Sequence, residues 1–373
     1  MRAAIDARAL GSGRGGDESY TRGLLAGLAE SRGADDAFPL LVSSESVVPK
    51  PLAGDPAFPV HVVGAGSQLR RYVISLPLAL RRLPVDLLHS LIYAPLWSPV
   101  PIALMVTDLS FRHHPELYRR STRLRLGLVM GRQLRRARVI MTLSEFCKRD
   151  ICEQYAVPPE RVFVVPCAIP PPAAFADDPA LLPGAGVRSP FFLHVGNRHP
   201  RKNLPRLIRA FARAKRSAPA LEGHQLVIAG RRWWRVRDEL AAAAEAPAGS
   251  VVFLDQVADR MRDALLRSAE ALLYPSLFEG FGLPPLEAMA VGTPTIVSNA
   301  AAIPETVADA SLLVDPLDVD GFARAMVSVA TTAGLRDDLR ERGLRRVQVF
   351  TARRMGERAL AAFRGATAAE RRV

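Results

Sequence analysis

Two glutamates, Glu279 and Glu287, lie in one segment that also contains two glycines and a pair of prolines. Seven residues separate the two glutamates, so both fall beside the same predicted turn. Carboxylates accept hydrogen bonds from hydroxyl groups, and a pair of them at one turn could hold a ligand with several hydroxyls. The simpler alternative is that Glu279 is a solvated loop acid and that Glu287 only complements a helix dipole, which contributes about 0.3 to 1 kcal/mol.

The turn between the two glutamates also predicts an anion site. Glycines let the backbone turn, and Pro284 suits the first position of a helix, so we expect a helix that starts near Pro284 and carries Glu287 in its first turn. The first amides of a helix have no partner within the helix and carry the positive end of its dipole. We therefore expect the backbone of Phe281, Gly282 and Leu283 to bind an anion such as a diphosphate.

The whole stretch from Ser276 to Pro294 resembles a signature of the retaining glycosyltransferases of family four. In members of that family the signature is commonly Ser-x-x-Glu-Gly-Phe-Gly-Leu-x-x-Leu-Glu-Ala-Met-Ala-x-Gly-x-Pro, and the pattern is complete here. The resemblance implies transfer of a hexose from a GDP- or UDP-sugar to a hydroxyl acceptor, with retention of anomeric configuration. It further implies that Glu279 holds hydroxyls of the transferred sugar and that Glu287 holds the ribose. The acceptor would be a glycan, a lipid-linked sugar or a small natural product.

A group of cations follows an apolar strand predicted at Phe191–Val195. A fixed cation beside a departing diphosphate stabilises the transition state more than the ground state. The resemblance assigns this task to Lys202. Many family members place an arginine where this chain has Asn197, which leaves Arg198 or Arg201 as substitutes, and we favour Arg201. The alternative is that these residues are surface cations at a helix entrance.

A glycine-rich loop follows the first predicted strand. Gly11, Gly13 and Gly16 match the dinucleotide-binding fingerprint, and Glu45 lies about where a ribose-binding acid belongs. One alternative function is therefore an NAD(P)-dependent oxidoreductase that binds its cofactor at this loop. In the family resemblance the same loop contacts the donor diphosphate, which carries over to Gly15 and Gly16. For the loop alone, a plain flexible turn is an equal alternative.

The stretch 102–111 resembles the family strand that usually ends in His-Asp. Thr107 stands at the position of that histidine, which in the family is thought to contact the transferred sugar near its 6-hydroxyl. This departure leaves that contact, and the preferred sugar, open. Asp108 is retained, and it could position an acceptor hydroxyl or cap the following turn.

Asp318 and Asp320 form an Asp-x-Asp pattern, by which another glycosyltransferase fold holds a divalent ion against diphosphate. The pattern directly precedes a predicted helix from Phe322, so we favour helix capping as its role. We therefore predict that the protein uses no metal, and no cofactor besides its donor substrate.

Short apolar strands alternate with helical stretches along the chain. Strands are predicted at 3–5, 39–42, 60–63, 87–89, 102–106, 139–143, 162–165, 191–195, 225–229, 251–254, 271–273, 295–297 and 311–314. The alternation predicts an α/β protein with parallel sheets and helices on both sheet faces. Together with the resemblance it predicts a GT-B fold, in which two doubly wound Rossmann-like domains face a central cleft.

A stretch rich in proline, alanine and glycine divides this pattern into two halves. Because linkers have that composition, we predict an acceptor-side domain at 1–170, a linker at 171–189 and a nucleotide-sugar-binding domain at 190–350. The resemblance implies that the last segment, 351–373, is a helix that returns to the first domain.

The composition is that of a large intracellular protein. A chain of 373 residues is longer than a single core usually supports, so two domains are expected. The three cysteines have no metal-ligand spacing, which suits a reducing cytoplasm. Because no apolar run reaches the roughly 20 residues that span a bilayer, we expect a cytoplasmic protein.

The net charge is +13, and nearly all of the cations are arginines. Two arginine-rich stretches, 69–82 and 118–136, alternate apolar and basic residues at helical spacing. They form either an amphipathic surface for peripheral contact with anionic lipid or solvated arginine faces over a buried apolar stripe, and we favour the second. We expect no nucleic-acid partner, because aromatic residues are few and are not interleaved with the basic runs.

Two further alternatives for the function of the protein are a non-catalytic nucleotide-sugar binder and a membrane-surface protein.

Overall fold

The computed structural model describes residues 1–13, 15–64, 67–233 and 236–368. Arg14, in the predicted glycine-rich loop, and 369–373, in the predicted last helix, lie outside the described residues. The chain forms two compact units. The first consists of Met1–Ala168 and the described residues from Phe350 onward, and the second consists of Ile169–Val349.

In the described part of the first unit, seven parallel strands form one sheet in the order β3-β2-β1-β4-β5-β6-β7. The strands are β1 Ala3–Asp6, β2 Leu40–Val42, β3 Val60–Val62, β4 Leu87–Leu91, β5 Ile102–Met105, β6 Val139–Thr142 and β7 Val162–Val164. The strands β1, β4, β5 and β6 are buried along their whole length, as expected when helices cover both faces of a parallel sheet.

The helices of the first unit connect these strands. They are α1 Gly16–Ser31, α2 Gln68–Arg70, α3 Leu76–Arg82, α4 Ser110–His113, α5 Arg120–Arg136 and α6 Glu145–Tyr155. A π-helical turn, Arg71–Ser75, joins α2 to α3. This turn buries Arg71, whose guanidinium forms a 2.6 Å ion pair with Asp6. The prediction of a solvated arginine face is therefore wrong at Arg71.

In the described part of the second unit, six parallel strands form one sheet in the order β10-β9-β8-β11-β12-β13. The strands are β8 Phe191–Val195, β9 Gln225–Ala229, β10 Val251–Leu254, β11 Ala271–Tyr274, β12 Thr295–Ser298 and β13 Leu312–Val314. The helices are α7 Leu204–Ser217, α8 Val236–Ala244, α9 Asp259–Ser268, α10 Leu283–Ala290, α11 Ile303–Val307, α12 Val319–Thr331 and α13 Leu335–Val347. Both sheets are doubly wound, which confirms the predicted fold class.

The stretch predicted as a linker, 171–189, belongs to the second unit and contains three short 3-10 turns. Its backbone is held by side chains of α9. The amide of Ala176 donates to the Asp263 carboxylate at 3.0 Å, and the Arg267 guanidinium donates to the carbonyl oxygens of Pro172 and Phe175 at 2.7 and 3.1 Å. These bonds fix the course of the segment.

The last described helix, α14 Ala352–Ala368, packs against α1 within the first unit. Glycines at the crossing let the two backbones approach closely. A Cβ atom on Gly27 would lie 2.3 Å from the carbonyl oxygen of Ala352, and one on Gly356 would lie 2.0 Å from that of Gly27. Neither position has room for a larger residue.

The arginine-rich helix α5 is only partly covered. Its buried residues are Met130 and Leu134, whereas Leu124 and Leu128 are 61% and 78% exposed. The favoured prediction, an apolar stripe buried beneath the arginines, therefore fails for the first half of α5. Among the described helices, none has both the length and the hydropathy of a segment that crosses a bilayer.

Candidate active site

The predicted cations and Glu279 lie at one edge of the second sheet. The strand order reverses at β8, which pairs with β9 on one side and with β11 on the other. Open α/β sheets bind ligands at the carboxyl ends of their strands, where the order reverses. The segment after β8 contains Arg201 and Lys202, and the segment after β11 contains Glu279. The topology thereby joins residues that are 77 positions apart in the sequence.

Each carboxylate oxygen of Glu279 is paired with one cation. The Lys202 ammonium lies 2.7 Å from Oε1, and the Arg201 guanidinium lies 2.5 Å from Oε2. Burial alone would raise the pKa of Glu279, but the charges and hydrogen bonds of Arg201 and Lys202 outweigh it and lower the pKa to about 2. Glu279 is therefore ionised at neutral pH. It is 6% exposed, so the alternative of a solvated loop acid is wrong.

Asn203 connects the two loops that form this cluster. It ends the 3-10 turn that contains Lys202, in a left-handed conformation with φ of 59°. Its side-chain amide donates to the carbonyl oxygens of Pro275 and Pro316 at 3.2 and 2.6 Å. Sequence reasoning missed Asn203, although an asparagine directly before a helix is a typical start signal.

Two buried rings lie next to Lys202. The Tyr274 hydroxyl accepts a hydrogen bond from the Lys202 ammonium, which lies 4.3 Å from the centre of the phenol ring. The His194 ring stacks on Tyr274 with a centroid distance of 5.9 Å and an interplanar angle of 17°. Sequence reasoning missed both residues, since apolar strands commonly contain such rings as packing groups.

The two candidate substitutes for the arginine missing at Asn197 have different surroundings. Arg198 is buried and forms a 2.6 Å hydrogen bond with the Glu239 carboxylate, and its guanidinium lies 4.5 Å from the Phe253 ring centre. Arg201 instead pairs with Glu279. This arrangement favours Arg201 as the second cation of the site.

The glycine turn before α10 is tight. Gly282 precedes α10 with φ of 106° and ψ of 61°, and a Cβ atom there would lie 2.6 Å from the Ile303 side chain. The helix begins at Leu283, and the next two residues, Pro284 and Pro285, have no N–H group to donate. The predicted anion cradle therefore depends on amides of the turn before the helix more than on those of the helix itself.

Glu287 differs from the prediction in position and environment. It is the fifth residue of α10, so it lies in the second turn and not in the first. It is 9% exposed, and burial raises its pKa against the opposing charge of Arg262. Within the described residues its carboxylate accepts no hydrogen bond, unlike that of Glu279. Its carboxylate is therefore available to accept a hydrogen bond from a bound ligand.

The glycine-rich loop of the first unit binds a carboxylate of the protein itself. The amides of Gly11 and Gly13 donate to Glu18 at 3.2 and 3.1 Å. This carboxylate occupies the donors that a dinucleotide phosphate would need, which weighs against the oxidoreductase alternative. Gly15 and Gly16 lie at the start of α1, and a Cβ atom on Gly15 would meet no described residue within 4 Å beyond its chain neighbours.

Asp108 forms part of a local turn. Its carboxylate accepts hydrogen bonds from the Ser110 amide at 2.9 Å and from the Ser110 hydroxyl, which also contacts the Tyr118 hydroxyl at 2.6 Å. Thr107, its neighbour, accepts a hydrogen bond from the Cys147 thiol through its carbonyl oxygen at 3.5 Å. Asp108 therefore stabilises the turn that follows it.

The Asp-x-Asp pattern begins a helix, as predicted. Asp318 precedes α12 and accepts a hydrogen bond from the Gly321 amide at 2.8 Å. Asp320 forms a 2.6 Å ion pair with Arg213 on the surface. In the part of the chain that the structure describes, no group of three or more metal-binding side chains is close enough to hold an ion.

Curated relatives match part of this chain. O-antigen chain mannosyltransferase B of Escherichia coli is 28% identical over 250 residues, which is 65% of this chain and 65% of that protein. Phosphatidyl-myo-inositol mannosyltransferase of Mycolicibacterium smegmatis is 35% identical over 182 residues, which is 48% of this chain and 45% of that protein. The chain therefore spans less than two thirds of the length of either relative.

Family models and solved structures match nearly the whole chain. Sucrose-phosphate synthase from Thermosynechococcus elongatus has a TM-score of 0.76 at 20% identity, with 99% of both chains covered, which confirms the GT-B fold. The model for Glycosyltransferase Family 4 matches residues 15–172, and the model for Glycosyl transferases group 1 matches residues 184–346. The two models together span most of the sequence, and the structure has the matching fold. The chain therefore belongs to the family four, group 1 glycosyltransferases.

Proposed function

We propose that the protein transfers a hexose from a nucleoside diphosphate sugar to a hydroxyl acceptor, with retention of anomeric configuration and without a metal or cofactor. The observation that carries the proposal is the buried cluster of Arg201, Lys202 and Glu279 at the carboxyl edge of the second sheet. Two cations and one carboxylate leave one net positive charge, which suits the diphosphate of such a donor.

In the proposed reaction, the bond between the anomeric carbon and the diphosphate oxygen breaks, and the acceptor oxygen bonds to the same face of that carbon. The bonding electron pair leaves with the diphosphate, so negative charge develops beside Lys202 and Arg201. A diphosphate oxygen takes the proton of the acceptor hydroxyl. Cations that are fixed before this charge develops stabilise the transition state more than the ground state.

The two glutamates have separate roles in this proposal. Glu279, with its low pKa, stays ionised, holds both cations in place and accepts hydrogen bonds from hydroxyls of the sugar. Glu287 accepts hydrogen bonds from the ribose, which supplies the donors that its buried carboxylate lacks. The turn amides of Phe281, Gly282 and Leu283 complete the diphosphate site.

Residues of the first unit have the remaining proposed roles. Gly15 and Gly16 contact the donor diphosphate, and the space that the described residues leave beside Gly15 supports a close approach to its backbone. Asp108 positions the acceptor hydroxyl through the turn that it stabilises. We propose mannose as the first sugar to test, because both curated relatives are named mannosyltransferases. The acceptor is a glycan, a lipid-linked sugar or a small natural product.

We also propose peripheral contact between the first unit and an anionic membrane. The segment Arg120–Arg136 contains six arginines and no acidic residue, and its exposed Leu124 and Leu128 are spaced to share one helix face. Sedimentation with vesicles of anionic and of neutral lipid tests this contact. Binding to anionic vesicles that weakens in Leu124→Ser/Leu128→Ser supports it, and equal sedimentation with both vesicle types contradicts it.

Donor screening tests the proposed function most directly. Thermal shifts with GDP and UDP identify the base, since a ligand that binds only the folded protein stabilises it. Their mannose and glucose derivatives then serve as donors, with product configuration read by NMR and with EDTA present to test metal independence. An α-linked product from an α-linked donor supports retention, and loss of turnover in EDTA contradicts the metal-free proposal.

Adding NAD(P) to the same screen separates the alternative functions. A shift with NAD(P) but not with GDP or UDP would identify an oxidoreductase. A shift with a nucleoside diphosphate sugar, without transfer or hydrolysis of any donor, would identify a non-catalytic binder.

A further inference from the structure

We propose that Tyr274 is a positioning residue, whose hydroxyl fixes the direction in which the Lys202 ammonium points toward the donor diphosphate. This inference rests on the function proposed above and adds to it a residue outside the family signature. Tyr274 is the last residue of β11 and is 1% exposed, so its phenol belongs to the rigid sheet and not to the loop.

The phenol holds the ammonium without cancelling its charge. Burial and the nearby Glu279 charge raise the pKa of Tyr274 well above its usual value, so the hydroxyl stays protonated and neutral. It accepts a hydrogen bond from Lys202, which also donates to the Glu279 carboxylate at 2.7 Å. The Glu279 carboxylate neutralises the charge of Lys202, whereas the neutral Tyr274 hydroxyl only orients the ammonium.

The His194 ring keeps the phenol in place. Its Nδ1 donates to the carbonyl oxygen of Leu273 at 3.0 Å, which fixes the plane of the imidazole against Tyr274. Burial, together with the charge of Lys202, lowers the pKa of His194 to about 3. The imidazole is therefore neutral and does not repel the ammonium beside it.

Hydrogen bonds to two fixed partners restrict the orientation of the Lys202 ammonium. A lysine side chain has four flexible carbons, and holding it in one orientation costs conformational entropy. Glu279 and Tyr274 impose that orientation before the donor arrives. The energy of donor binding is then not needed to order the cation, which is the benefit of preorganisation.

The test compares Tyr274→Phe with the wild-type protein by titration calorimetry. The probes are a nucleoside diphosphate and the monophosphate of the same base, GDP with GMP or UDP with UMP. We expect the preference for the diphosphate to fall by about tenfold, the worth of one hydrogen bond to a charged group, while the affinity for the monophosphate is unchanged. Tyr155→Phe is the matched control, because the buried Tyr155 hydroxyl has no hydrogen-bond partner among the described residues.

A second variant shows whether Tyr274 acts through Lys202. In a Lys202→Met background, Tyr274→Phe should change the diphosphate preference no further. An unchanged preference in Tyr274→Phe alone, or an equal loss of affinity for both nucleotides, would overturn the inference and leave the proposed function intact. A wild-type protein that does not prefer the diphosphate would overturn the proposed function itself.

Discussion

The Lys202 ammonium lies 2.7 Å from one oxygen of the Glu279 carboxylate, and both side chains are more than nine-tenths buried. Removing one partner of a buried ion pair usually leaves an uncompensated charge. Here the two partners differ, because Arg201 contacts the other carboxylate oxygen. Loss of Lys202 leaves Glu279 paired, whereas loss of Glu279 leaves two cations facing each other.

This asymmetry predicts unequal losses of stability. Glu279→Gln should lower the free energy of unfolding by about 3 to 5 kcal/mol, and Lys202→Met by clearly less. Urea unfolding, followed by circular dichroism, measures both values. Equal losses in the two variants would show that Arg201 does not compensate for the missing lysine.

Lys202 should contribute much more to activity than to stability. Lys202→Met removes the cation beside the departing diphosphate and should lower kcat by roughly 100- to 1,000-fold, a typical effect for one transition-state donor. Steady-state rates with the donor found by screening test this. Lys50→Met, at an exposed position of the first unit, is the control and should keep the wild-type rate.

A contact between Glu287 and the ribose should make binding depend on the 2′-hydroxyl of the nucleotide. The wild-type protein should bind a nucleoside diphosphate about fivefold or more tightly than its 2′-deoxy analogue, since the deoxy compound leaves a buried carboxylate without a donor. Glu287→Gln should reduce this discrimination. The same substitution should raise stability at pH 7, because burial, which raises the pKa of Glu287, disfavours its charged form. A variant that discriminates as the wild type does would exclude the ribose contact.

Acid should begin to destabilise the protein near pH 6.5, because two buried histidines resist protonation. Burial lowers the pKa of His194 to about 3 and that of His89 to about 4. Below about pH 6.5 the unfolded chain binds protons that these histidines do not bind when folded, so stability is lost as the pH falls from about 6.5 toward 4. Each histidine contributes a slope of about 1.4 kcal/mol per pH unit.

Urea unfolding between pH 7 and 4 measures this slope. Glu279, with a pKa of about 2, keeps its charge throughout, so its contribution is constant over most of that range and is lost only at lower pH. His194→Gln should flatten the curve, and His61→Gln, on strand β3, is the control. An unchanged slope in His194→Gln would contradict the assignment.

The close crossing of α1 and α14 leaves no room for a side chain at its glycines. Gly356→Ala would place a Cβ atom 2.0 Å from the carbonyl oxygen of Gly27, so the helices must separate, at a cost of about 1 to 3 kcal/mol. Gly127→Ala, in α5, meets nothing within 4 Å and should stabilise the protein by about 0.5 to 1 kcal/mol. Thermal unfolding of the two variants should therefore shift in opposite directions.

The sequence predicted the strands well because a parallel sheet buries both faces, which leaves short apolar runs between amphipathic stretches. It also pointed to Glu279 through the signature of residue types at 276–294, and to Lys202 through the family resemblance; the two side chains form an ion pair in the structure. It could not predict Tyr274 or Asn203, since their roles depend on which loops become neighbours at the sheet edge. The environment of Arg71 was equally hidden, because an arginine in a basic run is buried only when a partner such as Asp6 comes from a distant strand.

The position of α14 has a consequence for synthesis of the chain. Its partner α1 leaves the ribosome near the beginning of translation, and α14 leaves it only after the whole second unit. The second unit can therefore complete its fold first, although it comes later in the sequence. Until α14 emerges, the face of α1 that packs against it lacks this partner, and such transiently exposed surface makes an incomplete chain prone to aggregation.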